Sequence, residues 1–199
     1  MASKYGVYLI SDPKYSEEQM TKAINSGIKY FQLRLKTTTT KQFLQIAQKY
    51  QQICQRANVK FIVNDRLDIA LALQSDGIHI GQDDLDIQTC RMLYPQAIIG
   101  VSVSTVKEAQ IAQSAGADYI GVGAMFTSKT KKDAKHVELK ILEEIKKVVN
   151  IDIVCIGGIN SDNVGLLKNK CSGIAVCESI LGAKDPQEAI IKLEQIWEN

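Results

Sequence analysis

The stretch "KFIVNDRLDIALALQSDGIHIGQDD", residues 60–84, decides the fold. Its first five residues, Lys60 to Asn64, form a short apolar run closed by Asn and Asp, the signature of a strand rather than a helix. Residues 65–75, "DRLDIALALQS", carry a compact helix-like pattern, and "GIHI", 77–80, returns to strand character. Neither strand alternates cleanly between apolar and polar residues, as expected for strands buried on both faces. A strand, a helix and a second strand in such close order make a parallel βα unit.

The same unit recurs along the chain. Further strand-like runs are "GVYLI" (6–10), "YFQLR" (30–34), "IIGVS" (98–102), "YIGVG" (119–123), "DIVCI" (152–156) and "GIAVC" (173–177). Helix-like segments lie between them. Ser16 and Gln19 have capping-box spacing at the start of one. In "TKQFLQIAQKYQQICQRAN", Phe43, Leu44, Ala47, Tyr50, Ile53 and Cys54 share a face. Gly116 suits the end of a helix and Pro186 the first turn of another. Eight strands, each followed by a helix and with no linker between units, predict a single (β/α)8 TIM-barrel domain over residues 1–199. A doubly wound open sheet is the alternative, but no G-x-G-x-x-G follows the first strand.

Composition narrows the function classes. The chain has 199 residues, 45% of them hydrophobic, which suffices for a core without staples. A net charge of +2 gives no reason to expect a nucleic acid or membrane partner. The five cysteines, Cys54, Cys90, Cys155, Cys171 and Cys177, are odd in number and contain no C-x-x-C, which points to a reducing, cytoplasmic setting. Two distant histidines and no thiolate cluster argue against structural zinc. The first apolar run is too short for a signal peptide or membrane span.

In a βα barrel, chemistry collects where strands end and the following loops begin. Strand 2 supplies Gln32, Arg34 and Lys36, which period two places on one side. An Arg fork and a Lys point charge suit a phosphate or pyrophosphate; a salt-bridged strand end is the plainer reading. Asp65 and Asp84 come from neighbouring strand ends and could hold Mg²⁺ with water and phosphate, or simply cap the next helices. Asn64 adds a neutral arm. Gly157 and Gly158 either form a tight turn or let the backbone approach an anion. Inside its strand, His79 reads as packed and hydrogen-bonded; Met125 and Phe126 read as packing and His136 as solvated. The stretch "MFTSKTKKDAKH", 125–136, opens a buried strand into hydroxyls and cations.

Taken together, "FQLRLK", "FIVNDRLDIALALQSDGIHIGQDDL", "IGVS", "ADYIGVGAMFTSKTKKDA" and "IGGIN" resemble the thiamine-phosphate synthase family, in that order and over most of the chain. The resemblance implies an enzyme, a transferase joining a hydroxymethylpyrimidine pyrophosphate to a thiazole phosphate and releasing pyrophosphate. It implies that Gln32, Leu33, Arg34, Leu35, Lys36, Asn64, Ser102 and Lys131 hold the pyrimidine pyrophosphate, with Arg34, Lys36 and Lys131 acting in catalysis. It assigns Mg²⁺ to Asp65 and Asp84. The thiazole phosphate falls to Ser128, Lys129, Thr130, Gly158, Cys177 and Glu178. The implied mechanism is dissociative: pyrophosphate departs, and the thiazole nitrogen attacks the pyrimidine-stabilised cation. The implied partners are small molecules, and a homo-oligomer is compatible with the sequence.

Three positions depart from the family pattern. Glu178 stands where a serine is usual, and its carboxylate would repel a phosphate unless it turns away or meets a cation such as Lys129. Ala124 replaces a common proline, and Ser104 a histidine found in many members. Two rival functions follow. A thiazole tautomerase would use histidines after strands 5 and 6, where this chain has Ser104 and Gly123-Ala124. A non-catalytic sensor of thiamine precursors is the other, with Glu178 in its favour and the retained aspartates against it.

Overall fold

Alternation along each strand builds the molecule. A computed structural model describes residues 4–127 and 136–198. The strands are β1 (Gly6–Ile10), β2 (Tyr30–Leu33), β3 (Lys60–Asn64), β4 (Gly77–Ile80), β5 (Ile98–Val103), β6 (Tyr119–Val122), β7 (Asp152–Ile156) and β8 (Gly173–Val176). All neighbours pair in parallel, and β8 closes on β1 through Val7 opposite Ile174 and Leu9 opposite Val176. The expected eight-stranded barrel is the observed one.

Outward-facing residues, among them Val7, Leu9, Phe31, Leu33, Phe61, Val63, Ile120 and Val122, pack under a shell of helices. That shell comprises α1 (Glu17–Ile24), α2 (Thr40–Arg56), α3 (Leu67–Leu73), α4 (Ile87–Leu93), α5 (Val106–Ser114), α6 (Leu139–Val148), α7 (Glu178–Leu181) and α8 (Pro186–Glu198). The Ser16–Gln19 capping box forms at the start of α1, and α2 buries Phe43, Ala47, Tyr50 and Cys54 as its pattern predicts. One expectation fails: β7 is followed not by an α-helix but by a single 3-10 turn, Val164–Leu167. The preceding residues are spent on asparagine turns, with the Asn160 N–H donating to Asn163 Oδ1 and the Asp162 N–H to Asn160 Oδ1.

Inside the barrel, four tyrosines fill the lower part. Tyr5 stacks on Tyr30 with ring centroids 4.7 Å apart, and Tyr119 lies 5.0 Å from Tyr5 and 6.1 Å from Tyr8. Ile62, Val154 and Ala175 complete this plug. Rings of this size fit because neighbouring strands give way. A side chain at Gly100 would meet the Tyr119 ring at 2.0 Å. The plug turns the upper half of the barrel into a cup with a polar floor.

Candidate active site

Above the plug lies a cavity of about 590 Å³ at the C-terminal ends of the strands. Its wall takes residues from every strand end but draws most on β6, β7 and β8. This is where barrels of this kind place their chemistry.

The floor is a chain of hydrogen bonds. Gln32 Nε2 donates to the Tyr8 hydroxyl at 2.9 Å, and that hydroxyl meets the Tyr119 hydroxyl at 2.9 Å. Tyr119 in turn lies 3.0 Å from His79 Nδ1, and His79 Nε2 lies 2.9 Å from Ser102 Oγ. Gln32 and His79 are buried, whereas Ser102 opens to the cavity. His79 is thus hydrogen-bonded as expected from the sequence, and it also lines the site.

Arg34 rises from this floor on the wall. Its backbone N–H donates to the Ser11 hydroxyl oxygen at 2.8 Å, which fixes the strand end. Its guanidinium pairs with no carboxylate among the described residues. A half-buried Arg without a carboxylate is a ready anion site.

Just beyond the ends of β2 and β3, Lys36 Nζ contacts Asp65 Oδ2 at 2.7 Å. Asp65 adopts a left-handed conformation, φ +63°, which Asp tolerates better than most residues. Asp84 accepts the Gly81 N–H at 2.7 Å. Loss of water pushes the Asp84 carboxyl up, the Gly81 N–H pulls it down, and the adjoining Asp65 carboxylate pushes it up again. Two neighbouring carboxylates with one lysine between them leave surplus negative charge that a hard divalent cation would neutralise. Mg²⁺ needs only one or two protein carboxylates.

Gly157 and Gly158 are both tight-turn and close-approach residues, with φ +100° and +64°. The Met125 N–H donates to the Ile156 carbonyl at 2.8 Å and the Phe126 N–H to the Gly157 carbonyl at 3.0 Å, so the loop after β6 lies directly on this turn. A side chain at Gly158 would meet the Thr127 carbonyl oxygen at 2.5 Å.

The predicted residues divide by place. Gln32, Arg34, Asn64, Ser102, Gly158, Cys177 and Glu178 line the cavity together. Lys36, Asp65 and Asp84 gather with one another, Lys36 and Asp65 one or two residues beyond Arg34 and Asn64, and do not themselves line the cavity. Leu33 and Leu35 do not join them: period two turns both toward the helices, and Leu33 is fully buried there. Ser128, Lys129, Thr130 and Lys131 lie outside the described residues.

A family model described as thiamine monophosphate synthase matches residues 7–180. A thiamine-phosphate synthase of Methanococcus vannielii is 40% identical over 197 residues, covering 98% of this chain and 96% of that protein. One from Ruminiclostridium cellulolyticum is 43% identical over 202 residues, with 98% and 96% coverage. The solved thiamine phosphate pyrophosphorylase from Pyrococcus furiosus superposes with a TM-score of 0.90 at 35% identity, covering 98% of this chain and 96% of that one.

The chain belongs to the thiamine monophosphate synthase family. It is an enzyme of the transferase class, and its activity is thiamine-phosphate synthesis.

Within this synthase, Glu178 meets a cation, Lys14 from the loop after β1; the suggested Lys129 lies outside the described residues. Hydrogen bonding to Glu178, then to Tyr15, raises Lys14 above its ordinary lysine value. Ser104 is used up in the cap of α5, where its N–H donates to Glu108 Oε2 at 2.6 Å and its hydroxyl lies 3.1 Å from the same oxygen. Sequence reasoning missed Tyr8 and Tyr119. Both stand inside strand-like runs, and only barrel closure brings their hydroxyls, 111 residues apart in the chain, into contact. The alternating Tyr8–Ile10 and Tyr119–Gly121 pairs, facing inward like Gln32, were the available signal.

Proposed function

We propose that the protein couples hydroxymethylpyrimidine pyrophosphate to hydroxyethylthiazole phosphate with Mg²⁺, by a dissociative route. The observation that supports this most is the split of charge around one cavity. Arg34 stands in the wall without a carboxylate partner among the described residues, and the Asp65–Asp84 pair stands beyond the ends of β3 and β4. Asp65 and Asp84 would hold the metal, which when bound neutralises charge on a leaving pyrophosphate. Arg34 and Lys36, with Lys131 from the loop after β6, bind the pyrophosphate and stabilise the charge it gains as its C–O bond breaks. Gln32, Asn64 and Ser102 seat the pyrimidine on the floor. The Gly158 turn and the start of α7 at Cys177–Glu178, with Ser128 to Thr130, receive the thiazole phosphate.

No nucleophile–base pair is needed, because the thiazole nitrogen is itself the nucleophile. The residues orient two substrates in line and keep water from the cation. The tautomerase reading lacks its histidines: Ser104 caps a helix. Five free cysteines support a cytoplasmic location, and among the described residues no helix is long and apolar enough to cross a membrane.

The test is an assay of purified protein with Mg²⁺ and both substrates. Thiamine phosphate and pyrophosphate should appear in equal amounts, stop on chelation and resume when Mg²⁺ is restored. No product above a no-enzyme control would sink the reading; product that persists under chelation would remove the metal from it.

A further inference from the structure

The floor of the cavity is a hydrogen-bonded chain with a direction. Its members are Gln32, Tyr8, Tyr119, His79 and Ser102, joined by four contacts of 2.9 to 3.0 Å. Tyr8 and Tyr119 are fully buried, so each hydroxyl hydrogen must find an acceptor inside the chain. Gln32 Nε2 donates to the Tyr8 oxygen. Tyr8 can then satisfy its own hydrogen only by donating to Tyr119. Tyr119 must pass its hydrogen to His79 Nδ1. A neutral imidazole that accepts at Nδ1 carries its proton on Nε2, and Nε2 therefore donates to Ser102 Oγ.

Each end of the chain acquires a fixed character. The Gln32 amide nitrogen is engaged, and its carbonyl oxygen accepts no hydrogen bond among the described residues while the side chain lines the cavity. The Ser102 oxygen already accepts from His79, which leaves its hydroxyl hydrogen to donate upward into the cavity. The floor presents an acceptor at Gln32 and a donor at Ser102.

We infer that Tyr8, Tyr119 and His79 are positioning residues that set this acceptor–donor polarity and so select an aminopyrimidine over an oxopyrimidine. This rests on the proposed substrate. An aminopyrimidine offers an exocyclic N–H donor beside a ring-nitrogen acceptor, the complement of the floor. The oxo analogue offers a carbonyl acceptor beside a ring N–H donor and would oppose it at both ends. Reversing the chain for the wrong ring requires turning the Gln32 amide, both phenols and the histidine tautomer together.

The test has two arms. In the free protein, ¹⁵N NMR of the imidazole of His79 should show the Nε2–H tautomer at neutral pH, with Nδ1 unprotonated. A protonated Nδ1 overturns the inference, whatever the enzyme turns over. In the second arm, kcat/KM is compared for the aminopyrimidine pyrophosphate and its oxo analogue. Tyr119→Phe and Tyr8→Phe keep their rings in the plug but cut the chain. Each should lower the amino-over-oxo preference by about 100-fold, the scale on which sites with buried polar groups reject mismatched ligands. Ile62→Val loosens the same plug without touching the chain; it should lower Tm and leave the preference unchanged. An undiminished preference in both folded Phe variants overturns the inference. A wild type inactive on the aminopyrimidine substrate defeats the functional reading instead, and the tautomer still reports on the chain.

Discussion

Glu178 stands at the mouth of the cavity with its carboxylate turned to Lys14, whose ammonium lies 4.8 Å from the centre of the Tyr15 ring. A carboxylate beside the proposed phosphate subsite is repulsive when alone, but here its charge is met by Lys14. Both groups are largely exposed, so the pair contributes little to stability and matters mainly through the local potential. Removing the lysine should therefore harm more than removing the glutamate. Lys14→Met is expected to raise KM for the thiazole phosphate by about tenfold, because the ammonium that offsets the Glu178 carboxylate is then gone. Glu178→Ser should change KM by less than about threefold, and the double variant should return close to wild type. Steady-state kinetics on the four proteins check this; additive effects would show that the two side chains do not act as a pair.

At the scale of elements, the junction of β6 and β7 carries the strictest demand. The loop after β6 lies on the Gly157–Gly158 turn through backbone hydrogen bonds, and no side chain fits between them. Gly158→Ala adds a methyl at φ +64° against the Thr127 carbonyl. Both the backbone strain and the contact act in the same direction, for a loss of about 2 kcal/mol. For a chain of this length that is roughly 4–8 °C in Tm. Thiazole-phosphate affinity should fall with it, since the loop seats on the same turn. A Tm within 1 °C of wild type, read by calorimetry, would show that the loop moves aside freely.

For the whole molecule, burial of neutral acids sets the alkaline limit. Burial pushes the Tyr50 hydroxyl and the Cys54 thiol up to about 12. Tyr8 and Tyr119, inside the plug, are raised well beyond the ordinary phenol, again first by burial. In the unfolded chain a thiol ionises near ~8.5 and a phenol near ~10. Between those values and the folded ones, the unfolded state has released protons that the folded state still holds. Stability is then fully present below about pH 8.5 and lost as pH rises toward the folded values. Tm should be flat from pH 7 to 8 and drop steeply from about pH 9 to 11, with tyrosine absorbance rising in step with unfolding. An unchanged Tm at pH 11 would contradict this.

What could be read from the sequence, and what could not, follows from the range of the interactions involved. Strand identity, helix faces, the Ser16–Gln19 box and the barrel itself depend on periods of two and 3.6 residues, and these are local. The Arg34, Asp65 and Gly158 positions were legible because each lies one or two residues beyond a strand end, where the barrel places its site. The missing helix after β7 was not, because asparagine turns override a weak apolar pattern. The Lys14–Glu178 pair spans 164 residues and the Tyr8–Tyr119 contact 111. Nothing local in either segment encodes its partner. By itself the sequence determined the class of fold, the residues at the strand ends and the chemistry they suggest. Only closure of β8 on β1 decided that Lys14 meets Glu178, which way Leu33 and Leu35 turn, and that inward-facing tyrosines join a histidine and a glutamine in one hydrogen-bonded floor. Hydrogen bonds and ion pairs act over a few ångströms of space and are blind to distance along the chain.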